Sequence, residues 1–183
     1  MNALRNEKTA TYLNDNFICT YQKVGTFKIV NGNKQGGNVA GYFCLWDKSV
    51  LAATAGPVTG EELLTEARFA LETRKMAYVN SYNPVLDKVN HQHYRKLFNK
   101  ATIDRYVEES SQQTWKSRSS QMNRFGLATP SFDIGGMPHG SSKLKQVHWL
   151  LATKPLANLS EVYPFVWKNI LNEKLSTAPV DKR

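Results

Sequence analysis

Two cysteines, Cys19 and Cys44, are the residues best suited to redox chemistry, and they lie 25 positions apart. A disulfide between them requires the fold to bring their Cα atoms within about 7 Å. Neither belongs to a CxxC or CxxH pair, so neither a dithiol redox motif nor a zinc site is signalled. Cys19 alternates with Phe17 and Tyr21, and Cys44 sits with Tyr42 and Leu45, the pattern of buried structural thiols. A reactive thiol needs a basic, partly exposed setting, which neither sequence neighbourhood offers. The two are therefore expected to be structural thiols, and a redox pair only if the fold brings them together. His91 and His93 would point about 200° apart on a helix, so they cannot share a metal from one face. His139 falls in a Gly/Pro loop and His148 on a short helix, each without a cluster of Asp, Glu or Cys at ligand spacing. No metal and no cofactor is assigned. No Ser/His/Asp grouping emerges, and no glycine motif matches a phosphate cradle. Gly36-Gly37-Asn38 supplies positive φ to a loop.

Two aromatic groups remain. Trp115, Lys116, Arg118, Arg124 and Phe125 interleave rings and positive charge, a mixture that can hold single-stranded nucleic acid by stacking and phosphate contact. The same rings can instead dock a loop onto the helical half. Trp149, Tyr163, Phe165 and Trp167 are dense for so short a region. They are expected to build a small helical core or pack on the sheet, and alternatively to offer a protein interface.

The elements that must position these residues are read from periodicity. Residues 2–15 form an amphipathic helix, stopped by Asn14-Asp15-Asn16. Phe17 to Val24 is aromatic and β-branched, hence a strand. Val39–Leu45 and Val50–Ala55 form a hairpin around Asp47-Lys48-Ser49. Thr59 with Glu62 is a capping box, opening a helix with Leu63, Leu64, Ala67, Phe69, Ala70 and Leu71 on its apolar face. Asn83-Pro84 ends that unit. A polar helix is expected from about Val85 to Glu109. The window 110–142, with eight serines, reads as a long flexible insert. A short helix follows Lys143 and stops before Pro155. Ser160 is placed as the cap of a last helix, with Pro164 in its first turn.

The chain has 183 residues, 41% of them hydrophobic, and a net charge of +9. Residues 1–84 carry 9 basic and 7 acidic side chains and residues 85–183 carry 15 and 8, so the charge is concentrated in the second half. Such a half attracts nucleic acid, anionic lipid or an acidic partner, or is a solvated surface. No apolar run long enough to span a membrane is present, and no secretory signal is visible, so a cytoplasmic location is expected. The domain plan is 1–80 and 85–183, the second carrying the insert.

The segments "YLNDNFICTYQKV", "YFCLWDKSVLAATAGP" and "VTGEELLTEARFALE", in that order, resemble the C-terminal two thirds of a thioredoxin-like domain. The resemblance covers residues 2–78. It implies an α/β fold, an incomplete thioredoxin-like sheet with helices, followed by an α-helical extension. It also implies a central strand between the Phe17 and Tyr42 strands, a CxxC after that strand, and a cis-proline before the Tyr42 strand. This chain begins in the helix that would follow the central strand, has no CxxC, and reads Gly37-Asn38-Val39-Ala40 where the proline would stand. Three outcomes are open: the chain is truncated, its two strands close up, or a protein partner or second copy fills the slot. The expected function is a non-catalytic thioredoxin-like module acting through protein–protein contacts. The alternatives are a thiol-disulfide oxidoreductase whose active-site segment lies upstream of Met1, and a basic nucleic-acid-binding protein.

Overall fold

The computed structural model describes residues 3–23, 28–30, 33–35, 38–114, 135–173 and 181–182. The fold is mixed α/β, with helices predominating. Helix α1 (Glu7–Asn16) follows a 3-10 turn at Ala3–Arg5; its cap is Asn6, whose side chain accepts from the Thr9 N–H. Three short strands come next, β1 (Gln22–Lys23), β2 (Lys28–Val30) and β3 (Asn33–Gln35). The main hairpin is β4 (Ala40–Cys44) with β5 (Val50–Ala55), antiparallel, with a register slip at Phe43/Cys44. Lys48 turns the corner at φ 67, and the Asp47 carboxylate accepts from the Ser49 N–H.

Helix α2 (Gly60–Ser81) begins with both halves of the Thr59–Glu62 capping box in place. A minimal hairpin, β6 (Tyr82–Asn83) with β7 (Lys88–Val89), links it to α3 (His91–Thr114). Helix α3 therefore starts six residues later than its polar periodicity suggests. The hairpin occupies the intervening residues, and Asn90 caps α3 by accepting from the His93 N–H. Helix α3 also runs on through 110–114, the start of the window expected to be a loop. Helix α4 (Lys143–Thr153) is capped by Ser142, and α5 (Leu159–Phe165) by Asn158, one position before Leu159, rather than by Ser160. Pro164 then falls at the sixth helical position and not in the first turn. Proline has no N–H for the i−4 carbonyl, and from Val166 to Ile170 the helix winds as a π turn, with Leu171 N–H bonded to Val166 O. The last strand is β8 (Asp181–Lys182), paired with β1.

The β4–β5 hairpin is the middle layer of three. Alternate side chains go to opposite faces, except at the register slip, where Leu51 is the extra residue and joins Ala52 on one face. Val50, Ala53 and Ala55, with Tyr42 and Cys44, meet Val147, Leu150 and Leu151 of α4 and Val162, Val166 and Trp167 beyond it. Phe43, Leu51 and Ala52 meet Leu13 of α1, Leu63, Ala67 and Ala70 of α2, and Phe98 of α3. Each core mixes residues from before and after positions 80–85, so the described elements share their packing.

The strand expected over Phe17–Val24 is corrected. Phe17 to Tyr21 is not strand, Val24 lies outside the described residues, and among the described ones only Gln22–Lys23 pairs, with Asp181–Lys182 and not with β4. Phe17 is spent otherwise: its ring lies 5.2 Å from that of Phe43, against the hairpin. Ile18 is fully exposed and Tyr21 largely so, so the apolar alternation there finds no layer to pack on. Among the described residues β4 pairs only with β5, and no wider thioredoxin-like sheet forms.

Candidate functional site

The densest group of ionisable side chains lies between α2, α3 and α4. Glu66 occupies the stripe of α2 that also carries Leu63, Ala67, Ala70, Thr73 and Ala77, all buried, and is itself 1% exposed. Charge is seldom tolerated there unless it is paired. Its carboxylate accepts from both Arg105 guanidinium nitrogens of α3, Nη1 at 2.9 Å and Nη2 closer still. It also meets His148 Nε2 of α4 at 3.1 Å. The other imidazole nitrogen, Nδ1, lies 2.7 Å from Glu109 Oε2, and Glu109 Oε1 stands 3.4 Å from Arg105 Nε one turn along α3. The Arg105 guanidinium covers the Phe69 ring at 4.3 Å, a cation–π contact that also shields it from water.

Four side chains thus form a closed ring. Burial pushes the His148 imidazole down, but its bonds to Glu109 and Glu66 raise it by more, and it ends above its ordinary 6.5. Burial likewise raises the Glu66 carboxyl, and the bonds from His148 and Arg105 outweigh it, leaving the group below its ordinary 4.5. Both directions describe one state: imidazolium and guanidinium facing two carboxylates, with no net charge. Both imidazole nitrogens and all four carboxylate oxygens are used inside the ring. These contacts tie three helices together, and the ring acts as a clamp joining α2, α3 and α4.

The two glutamates beside His148 are not visible in its sequence neighbourhood. Glu66 and Glu109 lie 82 and 39 positions away in sequence. One local signal was present, a glutamate on the same helical stripe as Leu63, Ala67 and Ala70. It indicates that a partner must exist but does not name it. Among the described residues no three His, Cys, Asp or Glu side chains gather as metal ligands.

The structure places the other candidates as follows. Cys19 and Cys44 are both free thiols. Cys19 is exposed, contrary to its expected burial, because the segment that carries it does not join the sheet. Cys44 is half-buried, and burial, with the Asp47 charge second, pushes its thiol up to about 11. Trp115, Lys116, Arg118, Arg124 and Phe125 lie outside the described residues. Trp167 is buried, and Trp149, Tyr163 and Phe165 pack half-buried around it. Tyr163 bridges the rings of Tyr42 and Trp167 at 6.1 Å each, and Trp149 lies 6.3 Å from Phe165. His91, His93 and His139 are exposed.

A comparison with protein-family models, curated proteins and solved structures finds no match. The site has to be argued from geometry, and the backbone supplies a second feature. Gly56 N–H bonds to Val39 O and Leu45 N–H to Ser49 O, which with the register places Gly41 and Phe43 as hydrogen-bonded positions facing β5. Ala40, Tyr42 and Cys44 therefore direct their N–H and C=O groups away from β5. Among the described residues those groups meet no strand. The far edge of β5 differs: at its start Val50 N–H bonds to Ala157 O at 2.9 Å and Ser49 bridges to Asn158, and beyond them Ala53 and Ala55 are buried.

Proposed function

We propose that this chain is a non-catalytic protein that binds an extended segment of a protein partner along the open edge of β4. The observation that carries the reading is the asymmetry of the hairpin: the β5 edge is bonded at its start and buried beyond it, while the outward backbone groups of Ala40, Tyr42 and Cys44 have no strand partner among the described residues. Such an edge is a template for strand addition, in which main-chain bonds supply affinity. Val39, 67% exposed at its start, offers an apolar foothold. The proposal keeps the thioredoxin-like resemblance for the hairpin and α2. In that family plan the slot beside β4 belongs to a central strand, and the partner's segment takes it. A thiol-disulfide role draws no support from Cys44, whose thiol is held protonated, or from Cys19, which has no thiol partner beside it. Nucleic-acid binding rests on residues beyond those described, and salt-dependent binding would be its signature.

The test uses ten-residue peptides of alternating Thr and Val, with hydrogen exchange as readout. Binding is expected to slow exchange at the Ala40, Tyr42 and Cys44 amides, while Gly41 and Phe43 stay protected throughout. N-methylating alternate amides of the peptide should abolish binding. Ala40→Pro removes an outward donor and leaves the β5 ladder intact, so it should weaken the complex without unfolding the hairpin. If those three amides are already protected in the free monomer, or if N-methylated peptides bind as well, the edge is not a docking site.

A further inference from the structure

The link between α2 and α3 is built to project apolar side chains. Asn83 Oδ1 accepts from the backbone N–H of Val85 at 2.9 Å and of Leu86 at 3.3 Å. Pro84 has no N–H at all, so the three residues at the tip expose no backbone donor. Asp87, at φ 48, turns the chain back, and its carboxylate accepts from the Tyr82 hydroxyl. Pairing of Tyr82 with Val89 and Asn83 with Lys88, and a 2.9 Å bond from Asn90 N–H to Ser81 O, fix the base. On this frame Val85 is 90% and Leu86 65% exposed. Behind them the rings of Tyr78 and Tyr82 stack at 6.2 Å, beside Val79 at 70% exposure. A soluble surface seldom holds so many apolar groups together without a use for them.

The stretch of chain that carries the tip is mostly basic. Residues 74–96 contain Arg74, Lys75, Lys88, Arg95 and Lys96, all exposed, against one acidic residue. That residue is Asp87, which is engaged by Tyr82.

The geometry points to an anionic lipid surface as the partner of this tip. Val85 and Leu86 enter the boundary of the acyl chains, Tyr78 and Tyr82 lie at headgroup level, and the basic residues meet lipid phosphates. Tyrosine favours that level because its ring is apolar and its hydroxyl polar. A tip whose backbone donors are already paired or missing strands no N–H group on leaving water. Basic residues near an anionic leaflet add attraction that falls away with salt. A projecting apolar tip flanked along the chain by exposed basic residues fits a flat negative sheet, whereas a protein would need a recessed pocket with an acidic rim. Among the described residues no helix is long and apolar enough to cross a membrane, so the attachment is peripheral. The tip shares no residue with the β4 edge, and the two proposals can fail separately.

The full chain is mixed with vesicles of phosphatidylcholine alone, or with 30% phosphatidylserine as an arbitrary (roughly physiological) anionic fraction, and floated on a gradient. Binding is expected on the anionic vesicles only, and to weaken between low and high salt. The Val85→Asp, Leu86→Asp double variant should lose at least about tenfold in partitioning, since two aliphatic side chains no longer leave water. Lys75→Glu and Lys88→Glu should each lose roughly fivefold or more. All four positions are exposed, so an unchanged thermal unfolding curve confirms the fold. A Leu86→Trp variant should shift its emission to the blue on anionic vesicles. No flotation at low salt, flotation that survives the double variant, or capture of a protein through the tip without vesicle binding would each overturn the proposal.

Discussion

Replacing Glu66 by Gln removes one charge from the buried ring and leaves Arg105 and His148 facing each other across an uncharged amide. Glu66 is 1% exposed and Arg105 17%, so water does little to compensate. Breaking a buried ion pair by removing one partner costs about 3–5 kcal/mol. For a chain of 183 residues, about 2–4 °C of Tm per kcal/mol translates this into a fall of roughly 6–20 °C. The pH dependence gives an independent check. His148 titrates above its ordinary 6.5 in the fold, so its contribution is complete below pH 6.5 and is lost as the pH rises through the higher folded value. Glu66 titrates below its ordinary 4.5, so its contribution is complete above pH 4.5 and is lost as the pH falls through the lower folded value. From these two groups, stability should be greatest between about pH 4.5 and 6.5. Each unit by which the fold raises His148 is worth about 1.4 kcal/mol. The assay is thermal unfolding by circular dichroism at half-unit steps from pH 4 to 9. The wild type should lose Tm from pH 6 to 8, and Glu66→Gln should lose less over that range, because His148 then has one carboxylate instead of two. Replacing Glu66, Arg105, Glu109 and His148 together by Leu, Met, Leu and Leu should cost far less than the single change, since no unpaired charge remains. A wild-type Tm that holds or rises from pH 6 to 8, or a Glu66→Gln cost below about 1 kcal/mol, would refute the clamp, because an uncompensated buried charge cannot be that cheap.

Three further outcomes are expected. Gly60→Ala places a Cβ 2.8 Å from Asn6 Cβ, and forcing α1 away from α2 should cost about 1–3 kcal/mol in urea unfolding. Phe98→Ala, at a side chain 1% exposed under the hairpin, should cost about 3–5 kcal/mol in the same measurement. With an aromatic disulfide reagent at pH 8, exposed Cys19 should react at least about a hundredfold faster than Cys44, because a thiol near 11 is ionised in about one molecule per thousand; equal rates would contradict the burial of Cys44.

The parts of this fold that were readable in sequence are those set by neighbours. Thr59 and Glu62 are three positions apart, and both halves of their capping box form. The run Val50 to Ala55, bounded by the Asp47 turn and Gly56-Pro57, is strand at those same residues. Local pattern failed where a distant contact decided. Phe17 to Tyr21 has the composition of a strand, yet a strand also needs an edge to pair with, and Phe17 instead settles against Phe43. Pro164 was placed in a first turn because Ser160 looks like a cap; Asn158 takes that role and moves the helix start. The ring of Glu66, Arg105, Glu109 and His148 depends on three helices meeting, and no spacing within any one of them encodes that.

The three-layer arrangement has a consequence for synthesis. The face of the hairpin that carries Val50, Ala53 and Ala55 is covered by α4 and the residues up to Leu171, and Ala55 and Leu171 are 116 positions apart. At about 5–20 residues per second of translation, a nascent chain holds that apolar sheet face uncovered for roughly 6–23 s after the hairpin itself has been made. Once α3 has been made, the opposite face of the hairpin has its helices while this one is still bare, so the nascent chain carries an exposed apolar sheet face until α4 arrives.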